Sequence, residues 1–452
     1  LPLPFLETDF QEGTFLQRAA IGFVLPLIAA AGPVWRGLRV TPIEAIRVGF
    51  RSARGSGLAP ALARVPVPGG SVSQMPLRNV ARAPRRTLLT VFASAAVVAV
   101  AVAMSGMLDS FSATVDRSSA EVLRGAPDRL SVTLDRAYPA GAAEVRAVSA
   151  APAVGRAGAK LTLPASVAGG GSDVEVIVST LAPDPIWEPR ASEGALPRGA
   201  REILISESAA EDLDVEPGDE LTLTHPLQVA PGRVGAAATS VRVSGLHPDP
   251  FRFGAYMSEE ADATFGMQGK VNAVDVAPAP GSDGDDVNRS LLGLGSVASV
   301  EAASSIGTAL DEGLEDFAAV IRVVIAIAIV LVLLIAFNAA AINADERSRE
   351  HATMFAYGLR PATVVRLAMA ESAIMGGLAT LVGVALGVAI LGWVVNVNTE
   401  EVLPELGVVV SLSPQSILLG ALAGAGAMTL APLMTIRRLR RMDVPSTLRV
   451  VE

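Results

Sequence analysis

The sequence predicts a membrane protein: an α-helical transmembrane bundle of five spans with a mixed α/β extracytoplasmic domain. Three observations predict it. Five apolar stretches, at 15–35, 88–108, 318–341, 363–396 and 414–436, are long enough to cross a hydrocarbon core of about 30 Å. Arginine clusters fall in alternate connectors, which places those connectors in the cytoplasm. Between the second and third stretches lies a long acidic segment built of short β-type runs. Only 18% of the 452 residues are charged and the mean hydropathy is +0.47, whereas soluble domains carry about 25% charged residues.

Residues 15–35 are apolar apart from Gln17 and Arg18 near the outer end, with Pro26 at a tolerable kink position. Residues 36–87 carry ten arginines against the single acid Glu44, so this connector is cytoplasmic. Its centre, RSARGSGLAPALARVPVPGGS, reads as a flexible linker. The following SQMPLRNVARAPRRTLLT alternates basic and apolar residues at helical spacing and predicts an amphipathic helix on the inner leaflet. Residues 88–108 are uncharged and rich in Ala, Ser and Gly, which lets neighbouring helices approach closely.

Residues 109–317 hold 32 acidic and 15 basic side chains. Runs such as LSVTL (130–134), AKLTLPASV (159–167), VEVIVSTL (174–181), EILIS (202–206), ELTLTH (220–225) and SVRVSGL (240–246) predict strands separated by Gly/Pro/Asp turns. SESAAEDLDVEPGDE predicts a short helix followed by a turn at Pro217-Gly218-Asp219. The segment is large enough for one or two folded units.

The third span is the strongest signal, with Val323–Phe337 entirely apolar. A charged connector over 342–362 follows, then the fourth span with Gly376, Gly377, Gly383 and Gly387. Residues 397–413 form an acidic outer loop carrying Glu400, Glu401 and Glu405. The fifth span carries Gly420 and Gly424, and Gly383/Gly387 and Gly420/Gly424 are each a GxxxG pair suited to close helix packing. Arginines at 437, 438, 440, 441 and 449 hold the tail inside.

The connector's residues describe a short helix with charged and apolar faces. Glu346, Arg349 and Glu350 stand at i, i+3 and i+4, a spacing that permits surface ion pairs. Met354, Phe355 and Tyr357 add apolar bulk, Gly358 permits a left-handed stop, and Pro361 opens the next helix. Such a helix fits a groove on a partner, although lying on lipid headgroups uses the same two faces. Glu371 lies about 10 Å inside its span, within reach of Arg366.

No catalytic residue, cofactor or metal site is expected. The chain has no cysteine, its histidines (His225, His247, His351) are far apart, and no nucleic-acid partner is expected. Neither lysine, in RAGAKLT or GMQGKVN, sits in the GxxxxGK[ST] pattern of a nucleotide-binding loop. The spans' ionisable residues (Arg18, Arg322, Arg366, Glu371) lie near interfaces rather than at the midplane, unlike a proton or ion relay.

WRGLRVTPIEAIRV (35–48) and RRLRRMDVPSTLRV (437–450) echo each other at an offset of 402, so that Arg36, Ile46, Arg47 and Val48 fall on Arg438, Leu448, Arg449 and Val450. This is expected if residues 1–50 close one membrane unit and the rest forms the next.

The run ERSREHATMFAYGLRPATVVRLAMAESAIMGGLATLVGVALG (346–387) resembles the FtsX-like permease domain of ABC transporters through Glu346, Arg347, Glu350, Ala356, Gly358, Glu371, Gly376, Gly377, Gly383 and Gly387. PVWRGLRVTPIEAIR (33–47) resembles that family's closing motif; the C-terminal copy departs from it at Val444 and Ser446, which stand where Pro42 and Glu44 do. SQMPLRNVARAPRRTLLTV (73–91) resembles the basic opening of a unit, and EILISESAAEDLDVEPGDELTLTH (202–225) resembles a MacB-like extracytoplasmic domain.

The resemblance implies five parts: 1–50 ending a preceding unit, 51–87 as cytoplasmic linker and amphipathic helix, the span 88–108, a MacB-like domain over 109–317, and an FtsX-like domain over 318–452. Some members fuse two such units, about ten spans in all; because the chain opens at Leu1, an N-terminal part is expected to be missing. The implied partners are the lipid bilayer and a separate ABC ATPase acting as a dimer. The implied docking helix for the ATPase comprises Glu346, Arg347, Arg349, Glu350, Met354, Phe355, Tyr357 and Gly358. The implied function is that of a non-catalytic permease subunit in the cell membrane, coupling a partner's ATP hydrolysis to movement of the outer domain for export or extraction of lipid, lipoprotein, peptide or drug. The alternative is a transmembrane mechanotransmitter that regulates an extracellular partner such as a cell-wall hydrolase.

Overall fold

The computed structural model describes residues 12–38, 74–82, 84–230, 233–399 and 407–436. The core of the linker, most of the closing motif, the outer-loop acids Glu400, Glu401 and Glu405, and the arginine tail with its half of the echo lie outside them. The chain divides into Leu1–Pro66 and Val67–Glu452.

In the first unit, α1 (Glu12–Leu38) covers the stretch read as the first span. Among the described residues, four helices, not five, are long and apolar enough to cross a membrane.

In the second unit, the basic segment forms α2 (Met75–Arg82), and α3 (Pro84–Val122) follows. At 39 residues α3 is about 58 Å long, nearly twice the hydrocarbon thickness. It therefore continues beyond the expected end at residue 108 as a stalk. Asp109, Asp116 and Arg117 end the apolar run without ending the helix.

The outer domain comprises β1 (Leu130–Pro139), α4 (Ala143–Ser149), β2 (Val154–Lys160), β3 (Thr162–Gly169), β4 (Ser172–Leu181), β5 (Glu193–Gly194), β6 (Glu202–Ser206), α5 (Glu207–Leu213), β7 (Glu220–Ala230), β8 (Arg233–His247), β9 (Gly254–Ser258), β10 (Lys270–Pro278), α6 (Gly284–Leu291) and β11 (Val297–Ala302). Two sheets result. The antiparallel sheet β11-β1-β10-β2 packs on α4 and α6 through Val132, Val148, Val274, Val276, Val287 and Leu291. The other runs β5-β8-β6-β9-β4-β3-β7, and a further β7–β8 pairing closes six of its strands into a ring. Apolar residues two apart, such as Val174, Val176 and Val178, point into this ring, as the period of a strand requires. The predicted short helix is α5; Ser206 Oγ caps it by accepting from Ala209 N at 3.0 Å. The predicted turn holds Gly218 at φ +109.

The chain re-enters the bundle through α7 (Ser305–Glu346), then α8 (Ser348–Ala356), α9 (Pro361–Trp393) and α10 (Pro414–Leu430). At 42 residues α7 is about 63 Å long, a second stalk-bearing helix. The stalks of α3 and α7 meet edge-to-face through Phe111 and Phe317, centroids 6.2 Å apart.

Helix packing follows the small residues. A Cβ on Gly383 would lie 2.7 Å from Val98 Cβ, and one on Gly387 2.8 Å from Val102 Cβ. From α10, a Cβ on Gly424 would lie 2.7 Å from Val98 Cγ2, and one on Gly420 3.0 Å from Val102 Cγ2. Both GxxxG pairs therefore clasp the same two valines of α3. Gly376 faces Met428 and Ala425 on α10, whereas Gly377 faces nothing within 4 Å.

Candidate functional site

The cytoplasmic ends of these helices converge on one buried carboxylate. α7 ends at Glu346, Arg347 forms the joint to α8, and Gly358 stops the connector at φ +85. Pro361 begins α9, where its missing N–H costs no helical hydrogen bond. Ten residues on, Glu371 is only 8% exposed.

Three donors on three other segments reach Glu371. Asn343 Nδ2 of α7 donates to Oε1 at 3.2 Å. Arg347 Nη1 donates to Oε2 at 3.1 Å, and Asn79 Nδ2 of α2 to the same oxygen at 3.4 Å. Arg366 is not a partner: the carboxylate turns toward the connector instead. A buried ion needs both a counter-charge and further hydrogen bonds, and here one guanidinium and two amides supply them.

Arg347 is a bridge. While Nη1 holds Glu371, its Nε donates to Glu350 Oε2 at 2.8 Å. Glu350 pairs with Arg347, and Glu346 pairs with Arg86 at the start of α3. Arg86 Nη2 also donates to the Ala339 carbonyl at 3.0 Å. A cavity of about 170 Å³ lies between these groups. His351, on the buried side of α8 with Ala352, is held neutral-leaning: burial pushes its pKa down, and Arg347 pushes the same way.

The remaining connector residues are distributed by face. Glu346, Arg349, Glu350, Tyr357 and Gly358 are exposed, Tyr357 at 83%, while Arg347, Met354 and Phe355 are half-buried. The sequence reading missed Asn79, Arg86 and Asn343. An asparagine at the mouth of each of two apolar segments is the available signal, and Arg86 reads there only as one of the arginines of the basic segment.

At the other end, α3 is tied to the outer face. Ser413 N donates to Asp109 Oδ2 at 2.8 Å, Ser411 N to Ser110 Oγ at 3.0 Å, and Val409 N to Thr114 Oγ1 at 3.1 Å. The stalk then meets the barrel: Ser118 Oγ donates to Asp249 Oδ1 at 3.0 Å, and Trp187 Nε1 to the Glu121 carbonyl at 3.1 Å. One continuous helix therefore links the cytoplasmic cluster to the outer domain.

Two family models match in tandem: MacB-like periplasmic core domain over residues 87–294 and FtsX-like permease C-terminal over residues 322–444. No curated protein matches the sequence. Among solved structures, the chain is similar to the extracellular domain of the ABC-type transporter YknZ from Gram-positive bacteria, at 12% identity and a TM-score of 0.27, covering 36% of this chain and 90% of that one. It is also similar to the periplasmic region of MacB from Actinobacillus actinomycetemcomitans, at 11% identity and a TM-score of 0.28, covering 42% of this chain and 97% of that one. Four span-forming helices and the two matched domains in this order make the chain a multi-pass membrane permease with an extracytoplasmic domain, and it belongs to the FtsX/MacB-like permeases of ABC transporters.

Proposed function

We propose that α8 is the surface on which a separate ABC ATPase, acting as a dimer, docks, and that Arg347 passes the resulting movement into the membrane. The observation that carries this reading is the double hydrogen bond of Arg347, to Glu350 on α8 and to Glu371 on α9. Displacing α8 must pull on α9 or break a buried ion pair, and the second course is costly. Arg86, joined to Glu346, gives a parallel link to α3. α3 and α7 then act as levers. A rock of about 5° at one end of a helix some 63 Å long moves the other by about 5 Å.

The exposed groups on this face are Glu346, Arg349, Glu350, Tyr357 and Gly358, with Met354 and Phe355 at its edge. The work done is export or extraction of a lipid, lipoprotein, peptide or drug at the cell membrane, with catalysis confined to the ATPase. Co-purification with the co-expressed ATPase tests the docking face. Tyr357→Ala combined with Arg349→Ala should lower ATPase recovery at least about tenfold, about 1.4 kcal/mol, with the permease still folded. Undiminished recovery would remove α8 from the interface.

A further inference from the structure

A second cavity, of about 180 Å³, lies where both stalks meet both sheets of the outer domain. α3 contributes Val115 and Ser118, α7 contributes Gly307 and Leu310, the barrel contributes Tyr256, and Arg129 lines it from the start of β1. Trp187 and Phe253 complete an aromatic wall.

Arg129 is the unusual member. It is 8% exposed, and its Nη1 is buried with no hydrogen-bond partner. Its guanidinium lies 4.5 Å from the centroid of the Trp187 ring, which stacks the cation without satisfying its donors. Lys160, the other cation at the cavity, is already paired with Asp275 at 2.8 Å. Asp249, the acid facing the cavity, has its Oδ1 engaged by Ser118 Oγ and the Phe251 amide. Burial pushes that carboxyl's pKa up, so it opposes an anion less than a free carboxylate would. A buried guanidinium with an idle donor beside an aromatic-walled space calls for an oxygen anion attached to an apolar body. An apolar cavity of about 150 Å³ accommodates benzene, which sets the size.

We propose that this junction binds a small organic carboxylate of about the size of benzoate, its carboxylate on Arg129 and its apolar body against Trp187, Phe253 and Leu310. The site is separate from α8 and does not depend on ATPase docking. Either a free acid or the C-terminal residue of a peptide presents this chemistry. Because the cavity walls come from both stalks and both sheets, a bound acid favours the arrangement that keeps those walls together.

Thermal unfolding of the purified full chain in nanodiscs tests it, with millimolar benzoate, neutral benzamide or N-acetylphenylalanine as probes. Benzoate should raise the midpoint by about 2 °C or more, and benzamide should not. A rise with benzoate alone marks a free acid; a rise with N-acetylphenylalanine as well admits a peptide C-terminus. Arg129→Gln should abolish the shift, and so should Leu310→Trp, which fills the cavity and leaves the charge in place. Equal shifts with benzoate and benzamide, no shift with either acid, or a shift that survives Leu310→Trp would overturn the site. The wild-type comparison decides even if Arg129→Gln does not fold.

Discussion

Glu371 is held by donors from three segments, so its removal leaves more than a lost contact. Glu371→Ala leaves the half-buried Arg347 guanidinium with only its Nε bond to Glu350, and breaking a buried pair costs up to about 3–5 kcal/mol. The thermal midpoint of the purified permease should fall accordingly, and Glu371→Gln should fall less because it keeps a polar group of the same shape. A Glu371→Ala variant that melts with the wild type would mean that Arg347 finds another partner. In the outer domain, Asp262 has a buried Oδ1 without a partner, and burial first, then Glu259, pushes its carboxyl up to about 6. The folded state then holds this proton more tightly than the unfolded chain. Stability from this group therefore falls as pH rises from about 4 to about 6. Asp262→Asn should stabilise the protein at pH 7 relative to pH 4, measured as the difference from wild type at each pH. That difference matters because His247, whose pKa burial pushes down, acts in the opposite direction, costing stability as pH falls below its unfolded value.

At the scale of elements, Val98 and Val102 are shared between α9 and α10, so these two helices cannot change their spacing from α3 independently. Gly424→Ala places a Cβ 2.7 Å from Val98 Cγ2, and overpacking of this kind costs about 1–3 kcal/mol. Val98→Ala in the same chain should recover part of that loss, a coupling readable in a double-mutant cycle. Gly377→Ala, facing open space, should be neutral or mildly stabilising. The glycine spacing was legible in the sequence because GxxxG puts both glycines on one helix face. Its target was not, because the valines sit nearly 300 residues earlier in an unremarkable apolar run. The strands at 130–134, 174–181 and 202–206 were legible from β-branched and apolar runs between turn residues. β9, β10 and β11 were passed over: their Ala, Asn, Asp and Gly dilute the signal, and tertiary pairing decides them. The stalks escaped notice because polarity ends a span but does not end a helix. The partners of Glu371 escaped for a different reason: sequence spacing put Arg366 one turn and a residue away, and only the fold brings residues 79, 343 and 347 nearer.

At the scale of the molecule, the stalks offer a direct test of whether movement reaches the outer domain. A Cβ built on Gly307 would lie 3.8 Å from Ser119 Cβ, the mean separation in a disulfide, about 3.8 Å. The chain contains no cysteine, so a Ser119→Cys/Gly307→Cys pair would be the sole thiol pair in it. Oxidation should lock α3 to α7 and stop transport while ATPase co-purification persists, and reductant should restore transport. Full crosslinking with undiminished transport would show that these stalks do not separate at this level during the cycle.

Closure of six strands into a ring has a consequence for whatever cargo or protein arrives outside. A strand with an unpaired backbone edge can recruit an incoming extended peptide by adding it to the sheet, and a closed ring withholds that invitation. Among the described residues the invitation survives where the pairing lapses: β7 meets β3 only over Thr222–Thr224, so its edge beyond Thr224 adjoins no third strand, and β5, β2 and β11 each keep an outer edge. An unfolded polypeptide drifting past would find its purchase on the β7–β8 arm rather than on the fully paired strands of the ring.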